Sequence, residues 1–434
     1  MSRFLTLSAG LVGVPIGCVV LRDRRSYHST RSPDEVLSSP HACSCTRIYR
    51  LIRPAVFLMD PEDAHIAALI AGQTLGHLLY WKHQVQTKIN AVIDAVAEWT
   101  VGAVNKPKIP SRLSITVNET TYRSPIGLSA GFDKNGKLFD FLSFSNLVAH
   151  AEIGSFSYYS WPGNPKPRVF RLVSDRAVIN RMGLNNDGAE IVANRIAEKS
   201  HIELANTRFG VNITKTPDPA IEGSEAVADF VKSFDFVKNM NQINWVTLNI
   251  SCPNTAEGKT FEDISALTEL LANLRAVSAH KPLHLKVAPI AHNNPNWKEQ
   301  AISIFETAKK FHVDAVVIAN TVPDRNLGLV SGEDLLNQRG GLSGPPIFER
   351  SIPMIQEAFR HGLSVVGVGG VSSGKDAYKL MRSGASLIQL YTAMIYDGPT
   401  VFRDIENGLE RELVINGYSS VDQVIGLDSN VRKI

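Results

Sequence analysis

The sequence is poor in cysteine and aromatic residues, and neither sign of charge predominates. Among its 434 residues there are four cysteines, Cys18, Cys43, Cys45 and Cys252, and aromatic residues make up 8%. Four cysteines in a chain of this length do not form a disulfide framework. Cys43 and Cys45 lack a second Cys/His pair at zinc spacing, so no metal site is predicted.

The net charge excludes one class of partner. The sequence has 45 Lys and Arg against 42 Asp and Glu, a formal charge of +3. Nucleic-acid binding as a main role concentrates a much larger basic field, so no nucleic-acid partner is predicted. The 44% hydrophobic and 20% charged content is typical of a globular protein with a substantial core.

Long hydrophobic runs are absent after residue 21. The stretch Phe4–Leu21 has 18 apolar or small residues without charge, followed at once by an Arg- and Ser-rich segment that is poor in acid. This pattern favours a mitochondrial presequence or an inner-membrane anchor, because arginines replace the small-residue cleavage site of a secretory signal. We therefore assign residues 1–46 to a targeting leader and linker, with localisation at the mitochondrial inner membrane.

Residues 47–110 carry apolar residues at helical spacing. Asp60 and Pro61 are typical of a helix N-cap and first helical position. A further helix is predicted over "TKINAVIDAVAEWTVGAV". These two amphipathic helices form either a structural cap or a docking surface for lipid or an apolar ligand.

Residues 111–434 change to a β/α pattern. A predicted hairpin, "RLSITVNETTYRSP", precedes eight short apolar runs that alternate with helical stretches. Near-continuous apolar strands indicate a parallel sheet buried on both faces. Eight β/α units over about 300 residues favour a (β/α)8 TIM barrel of the α/β class. A doubly wound open sheet is the alternative.

Polar residues and glycines follow these apolar runs, where the active site of such a barrel lies. They are Lys134, Ser155, Asn212, Asn249, Lys286, Asn320, Thr321, Gly369, Gly370, Tyr391 and Thr392. The loops "VGVGGVSSGKDA" and "RGGLSGPP" also offer backbone N–H groups and Ser343 to a phosphate near strands seven and eight. The alternative for each glycine loop is a plain turn.

Lys286 and Cys252 each have two interpretations. A lysine in an apolar strand forms a structural ion pair or stabilises the anionic edge of a reduced flavin. Cys252, in "NISCPNT", is a small buried hydrophobic residue or a proton acceptor in its thiolate form. The flanking Asn249 and Asn254 suit a planar, polar ligand.

The motifs resemble those of the dihydroorotate dehydrogenase family from about Arg50 to Asp428. They are "AGFDKNG", "EIGS", "GNPKPRVFRL", "INRMGLNN", "GVNI", "NISCPNT", "LKVAP", "GGLSG", "VGVGGVSSGKDA" and "ASLIQLYTA". The "DPEDAH" segment and the leader resemble the membrane-associated, quinone-reducing branch.

The resemblance implies an FMN enzyme that oxidises dihydroorotate to orotate in pyrimidine synthesis. A base takes a proton from C5 while hydride passes from C6 to flavin N5, and Cys252 matches the base. The implied substrate-binding residues are Lys134, Asn180, Arg181, Met182, Gly183, Leu184, Asn249, Asn254, Asn320 and Thr321. The implied FMN-binding residues are Ala130, Gly131, Ser155, Asn180, Asn212, Asn249, Lys286, Ser343, Gly344, Gly369, Gly370, Tyr391 and Thr392. His65, Arg171 and Tyr391 match quinone-tunnel positions.

Two positions depart from the membrane-associated branch. Cys252 stands where that branch has a serine base, as in the soluble branch, and Val56 stands where it has a tunnel glutamine. We predict ubiquinone as acceptor and docking of the N-terminal helices at a membrane surface. The alternatives are fumarate or NAD as acceptor, another dihydropyrimidine as substrate, or a flavin-binding protein without catalysis.

Overall fold

The structure is a computed structural model. It describes residues 44–101, 111–145, 147–199, 207–251, 261–278, 280–290 and 294–429. The leader Phe4–Leu21, most of the predicted linker and the loop with Cys252 and Asn254 lie outside these ranges.

The strands and helices alternate along the catalytic part of the chain. The strands are β1 Ile115–Val117, β2 Thr120–Tyr122, β3 Ile126–Leu128, β4 His150–Phe156, β5 Val169–Leu172, β6 Ala177–Asn180, β7 Arg208–Ile213, β8 Trp245–Asn249, β9 Leu283–Lys286, β10 Ala315–Ile318, β11 Gly341–Ser343, β12 Ser364–Val368 and β13 Leu387–Leu390. The helices are α1 Ser44–Phe57, α2 Pro61–Val101, α3 Phe139–Phe144, α4 Ala189–Ala197, α5 Gly223–Val237, α6 Ile264–Val277, α7 Trp297–Lys310, α8 Glu333–Leu336, α9 Phe348–Arg360, α10 Gly374–Arg382, α11 Thr392–Asp397 and α12 Val401–Ile415.

Eight parallel strands close into a barrel. Their order around it is β3, β4, β7, β8, β9, β10, β12 and β13, which is also their order along the chain. These are the eight apolar runs of the sequence, so the (β/α)8 prediction is confirmed and the open sheet is wrong. The predicted hairpin is also present, as the antiparallel pair β1 and β2.

The N-terminal extension contains helices as predicted, but they are divided differently. Asp60 caps α2, because its carboxylate accepts from the N–H groups of Glu62 at 2.8 Å and Asp63 at 3.3 Å. The expected second helix over "TKINAVIDAVAEWTVGAV" is not separate: α2 runs without interruption from Pro61 to Val101. No proline or glycine interrupts the chain between residues 77 and 101, so nothing local ends the helix there.

Polar contacts attach both N-terminal helices to the barrel domain. On α1, Arg50 pairs with the buried Asp397 at 2.9 Å. At the start of α2, the Glu62 carboxylate accepts from Arg168 Nη2 at 2.7 Å and Nε at 3.1 Å. Gly76 allows close packing of α2 on α3, because a Cβ there would lie 2.7 Å from the backbone nitrogen of Phe141.

A small antiparallel sheet was not predicted. Strand β6 pairs with β5 on one side and β11 on the other. The sheet has its own apolar core, which includes Leu172, Ile179 and Leu342. It forms a wall between the barrel and the N-terminal helices, and so helps to enclose the site described next.

Candidate active site

A cavity of about 320 Å³ lies at the carboxyl ends of the barrel strands and continues between the small sheet and helices α1 and α2. Most of the predicted site residues in the described part of the chain line it. They are His65, Ala130, Gly131, Lys134, Ser155, Arg171, Asn180, Met182, Gly183, Leu184, Asn249, Lys286, Asn320, Thr321, Ser343, Gly344, Gly369, Gly370, Tyr391 and Thr392. Residues far apart in sequence therefore meet at one place.

Two predicted residues lie elsewhere. The Arg181 guanidinium points away from the cavity, donating to Gln338 Oε1 at 3.0 Å and to the Pro167 carbonyl at 2.9 Å. Asn212 is fully buried one layer behind the wall, where its amide oxygen accepts from the Ser155 hydroxyl. Cys252 and Asn254 lie outside the described residues, so their predicted roles remain predictions.

Three glycines shape one side of the cavity. Gly344, Gly369 and Gly370 have φ values of +107°, +123° and +74°, a region that other residues rarely adopt. A Cβ on Gly370 would lie 2.7 Å from Phe348 Cα. Nearby, the Thr392 hydroxyl donates to Ser343 Oγ at 2.9 Å, and the Ser343 hydroxyl donates to the Val178 carbonyl at 3.2 Å. Bare backbone beside two hydroxyls suits the phosphate predicted for this position.

The cation of Lys286 lies at the end of β9, in the cavity wall, and is buried. Its charge acts on Glu152, a fully buried carboxylate inside the barrel. Burial would raise the pKa of Glu152, but the Lys286 charge and hydrogen bonds from Gln389 and Asn212 outweigh it and hold the pKa below its ordinary value. Lys286 thus has a structural counter-charge and also faces the cavity.

Gln389 is a cavity residue that the sequence reasoning missed. Its amide nitrogen donates to Glu152 at 3.0 Å, and its buried amide oxygen has no partner among the residues that the structure describes. An acceptor placed this way suits an N–H group of a bound ring. The available signal was a lone polar residue within the apolar run "LIQLYTA".

His65 and Tyr391 lie on either side of Phe132. The His65 ring meets the Phe132 ring edge-on at a centroid distance of 4.8 Å, and Tyr391 lies 5.9 Å from Phe132. Burial and then the Lys134 charge lower the pKa of His65 to about 4, while burial raises the pKa of Tyr391 to about 12. Both side chains are therefore neutral at neutral pH.

The two ends of the cavity differ in character. We call the part lined by Asn249, Lys286, Asn320 and Gly370 the deep end. The outer end lies between α1, α2 and α3 and is apolar; its lining includes Val56, Ala64, Ala68, Leu138, Phe141 and Leu142. Arg171 borders the outer end, where it donates to the carbonyls of Phe57 and Met59 at 3.1 Å each and packs over the Phe57 ring.

This barrel, with bare glycine backbone beside two hydroxyls, a buried cation and polar side chains at its strand ends, defines a class of protein: a cofactor-dependent (β/α)8 enzyme. Residues 112–413 match the family model described as dihydroorotate dehydrogenase. The chain therefore belongs to the dihydroorotate dehydrogenase family, whose cofactor is FMN. The glycine cradle and the unpartnered Gln389 oxygen fit a phosphate and a ring N–H of that group.

Individual relatives are similar over most of their length. A protein of Natronomonas pharaonis named dihydroorotate dehydrogenase (quinone) is 34% identical, over 88% of this chain and 99% of its own. A protein of Streptomyces griseus with the same name is 36% identical, over 88% of this chain and 98% of its own. The crystal structure of an Eimeria tenella DHODH in complex with ferulenol has a TM-score of 0.65 and 27% identity, covering 80% of this chain and 96% of the other.

Two features of the part of the chain that the structure describes concern metals and membranes. No three His, Cys, Asp or Glu side chains in that part of the chain are grouped as metal ligands. None of the helices within it combines the length and the hydrophobicity that a membrane crossing requires.

Proposed function

We propose that this protein oxidises dihydroorotate to orotate with FMN, a step of pyrimidine synthesis, and passes the electrons to a quinone. The observation that carries this proposal is the meeting of the family's site residues at one cavity, in a chain that belongs to the family. The quinone is the acceptor in the names of the relatives reported above, and the apolar outer end gives an acceptor of that kind a place to bind.

The reaction removes two hydrogens from neighbouring carbons. The C5–H bond breaks to give a proton and the C6–H bond to give a hydride, and a C5=C6 double bond forms. In our proposal Cys252, as a thiolate, takes the proton from C5. Bound FMN supplies the two-electron acceptor for the hydride.

Substrate binding is assigned to the amides and cations of the deep end. Asn180, Asn249, Asn320 and Thr321, with Asn254, supply donors and acceptors for a planar imide ring. Lys134 donates to Asn185 Oδ1 at 3.0 Å and lies in the same wall, where its charge suits the carboxylate of dihydroorotate.

FMN binding is assigned to the glycine cradle and to the deep end of the barrel. Gly344, Gly369, Gly370 and the hydroxyls of Ser343 and Thr392 would hold the phosphate. Lys286 would offset negative charge at the ring, since a buried cation at a fixed place favours charge that develops beside it.

The N-terminal helices are assigned to a membrane surface. We propose that residues 47–110 form the docking extension, residues 111–434 the catalytic domain and residues 1–46 the leader. Exposed apolar side chains on α2 support this, among them Ile66, Ile70, Leu78 and Trp81. The mitochondrial inner membrane is the location we propose from the leader; the two named relatives are archaeal and bacterial and do not bear on it.

The test is anaerobic reduction of the bound flavin by dihydroorotate, followed separately by reoxidation. We expect dihydroorotate to bleach the flavin absorbance and a ubiquinone analogue to restore it. A flavin that dihydroorotate does not bleach would exclude the proposed substrate.

Reoxidation then identifies the acceptor. Fumarate and NAD, tested at the same concentration as the ubiquinone analogue, are the controls. If either restores the absorbance and the quinone does not, the dihydroorotate assignment stands and the quinone assignment is wrong.

A further inference from the structure

Glu152 accepts hydrogen bonds from several strands at once. On β4, it is fully buried inside the barrel, behind the cavity wall. Its carboxylate accepts from the amide nitrogen of Asn212 at 2.7 Å, from the Thr247 hydroxyl at 3.0 Å and from the amide nitrogen of Gln389 at 3.0 Å. An ionised carboxylate can only accept, so each of these groups must turn a donor towards it.

The orientation of Asn212 in turn determines the hydrogen bonds of Ser155 and Asn249 in the cavity wall. Since the Asn212 amide nitrogen points to Glu152, its oxygen points the other way and accepts from the Ser155 hydroxyl. The Ser155 oxygen in turn accepts from the amide nitrogen of Asn249 at 3.1 Å. Asn249 is thus left with its amide oxygen directed away from Ser155.

The hydrogen bonds keep the same donor-to-acceptor direction through Ser251 and Asn320. The Asn249 oxygen accepts from the Ser251 hydroxyl at 3.0 Å, and the Ser251 oxygen accepts from the amide nitrogen of Asn320 at 3.1 Å. The Asn320 oxygen accepts from the backbone N–H of Thr321 at 2.8 Å. From Glu152 to Thr321 the bonds form one chain in which every donor points the same way.

We propose that Glu152 is a positioning residue that sets the orientation of the Gln389 amide directly and, through Asn212 and Ser155, that of the Asn249 and Asn320 amides, and so decides which of their polar atoms face the ligands. The assignment rests on the proposed function, because it takes Asn249 and Asn320 as substrate-binding groups. It also accounts for Gln389, whose nitrogen is held by Glu152 while its buried oxygen is left without a partner among the described residues.

The donor-to-acceptor direction of these hydrogen bonds could reverse at each hydroxyl. Ser155 and Ser251 serve equally well as donor or acceptor, and an asparagine amide can turn over. At the two ends the Glu152 carboxylate accepts and the Thr321 backbone N–H donates. Between them the Ser251 N–H donates to the Asn249 oxygen and the Ser251 carbonyl accepts from the Asn320 amide nitrogen, at 3.4 Å each. A glutamine at position 152 could donate to Asn212 and would leave the orientation undetermined at that end.

The experiment compares Glu152→Gln with Glu152→Asp in the FMN-loaded enzyme. Orotate affinity is measured from the change in flavin absorbance, and FMN affinity from release of the cofactor on dilution. We expect Glu152→Gln to weaken orotate binding at least about tenfold, a hydrogen-bond-sized effect. We expect Glu152→Asp to weaken it less, because aspartate still only accepts.

A role limited to filling space in the core predicts the opposite order. Glutamine fills the space of glutamate, whereas aspartate leaves a gap in the core, so Glu152→Asp would be the more harmful change. A purely electrostatic role predicts tighter, not weaker, orotate binding in Glu152→Gln. Removing a negative charge would strengthen binding of the orotate anion, and loss of the counter-charge of Lys286 would change FMN affinity first. Weaker orotate binding in Glu152→Gln with FMN still bound therefore indicates lost orientation.

The matched control is Thr247→Val. It deletes another donor to the same carboxylate but lies outside the chain of bonds. We expect orotate affinity to stay within about twofold of the parent protein, far below the tenfold effect of a lost hydrogen-bond orientation. Equal losses in Thr247→Val and Glu152→Gln, or no loss in Glu152→Gln, would overturn the proposal.

Flavin bleaching in the parent protein distinguishes failure of the proposed function from failure of the Glu152 proposal. If dihydroorotate does not bleach the flavin of the parent protein, the function is wrong. FMN affinity then still tests Glu152, since Asn212 and Gln389 belong to the cofactor side. If Glu152→Gln purifies without FMN while Glu152→Asp and Thr247→Val retain it, the positioning role is supported.

Discussion

The two ends of the cavity are built by different means. The deep end is formed by side chains at the ends of parallel strands, which the closed barrel holds in register. The outer end is formed by apolar side chains of helices that pack against the barrel through contacts such as Glu62–Arg168. The difference indicates that directed hydrogen bonds select the ligand at the deep end, and that shape and hydrophobicity select it at the outer end.

The largest effect is expected at the deep end, from Cys252→Ala. We expect the variant to keep FMN and to be reduced by dihydroorotate at least about 10²-fold more slowly, because a general base is lost. Stopped-flow measurement of flavin bleaching gives the rate. Cys252→Ser is the matched control and should retain measurable reduction, since a hydroxyl can also accept the proton. Normal rates in Cys252→Ala would show that another group is the base.

A smaller effect is expected from Gly370→Ala in the phosphate cradle. The new Cβ would meet Phe348 at 2.7 Å on a backbone with φ of +74°, so we expect FMN affinity to fall about tenfold or more. Gly328→Ala is the control, because Gly328 has a similar φ of +64° with nothing within 4 Å of the new Cβ. Equal loss of FMN in both variants would mean that strain, not the cradle, is responsible.

At the outer end, Ala68→Phe should separate the two half-reactions. A phenyl ring placed in the apolar lining should lower kcat/KM for a ubiquinone analogue by about fivefold, within the range of overpacking costs. Reduction by dihydroorotate should be unchanged, because the deep end is untouched. Thr74→Phe, on the exposed side of the same helix, is the control. Slower reduction by dihydroorotate in Ala68→Phe would argue against a division between the ends.

The smallest effect concerns His65, between the two ends, and the pH dependence of stability. Burial is the main cause that lowers the pKa of His65, His150 and His284 to about 4. For His65 the Lys134 charge is the next cause. The unfolded chain therefore binds more protons than the native protein below pH 6.5. The free energy of unfolding should fall as the pH drops from 6.5 towards 4, by up to about 1.4 kcal/mol per pH unit for each proton.

Denaturant unfolding at several pH values measures this slope. His65→Gln removes one of the three titrating groups, so its slope should be smaller by up to one proton. An unchanged slope would show that His65 does not contribute to the acid sensitivity.

The barrel was predictable because each strand carries its signal locally. Runs such as "DAVVIANT" are apolar on both faces and β-branched, which a buried parallel strand requires. The small sheet was not predictable in the same way. Strand β5 is half-exposed, and β11, within "RGGLSGPP", has three residues and a glycine loop pattern. Strand β6 pairs with β11, which lies more than 150 residues further along the chain. A local sequence pattern does not indicate a pairing over that distance.

The site was predictable as a set of residues but not as an arrangement. Asn249, Lys286 and Asn320 were identified because they lie where apolar runs end, and parallel strands end at the same rim. The family motifs also included Arg181, whose guanidinium points away, whereas Gln389 and Glu152 were missed because they lie within strands. Whether a strand residue points into the barrel and what it contacts depends on neighbouring strands.

The sequence by itself determined the fold class, the family and the residue types at the strand ends, because these depend on local hydrophobicity, glycine positions and motifs. Only the tertiary structure decided that Glu152, Asn212, Ser155 and Asn249 form one oriented chain of hydrogen bonds. Such an orientation depends on the relative positions of strands far apart in sequence, and on a buried carboxylate whose only option is to accept.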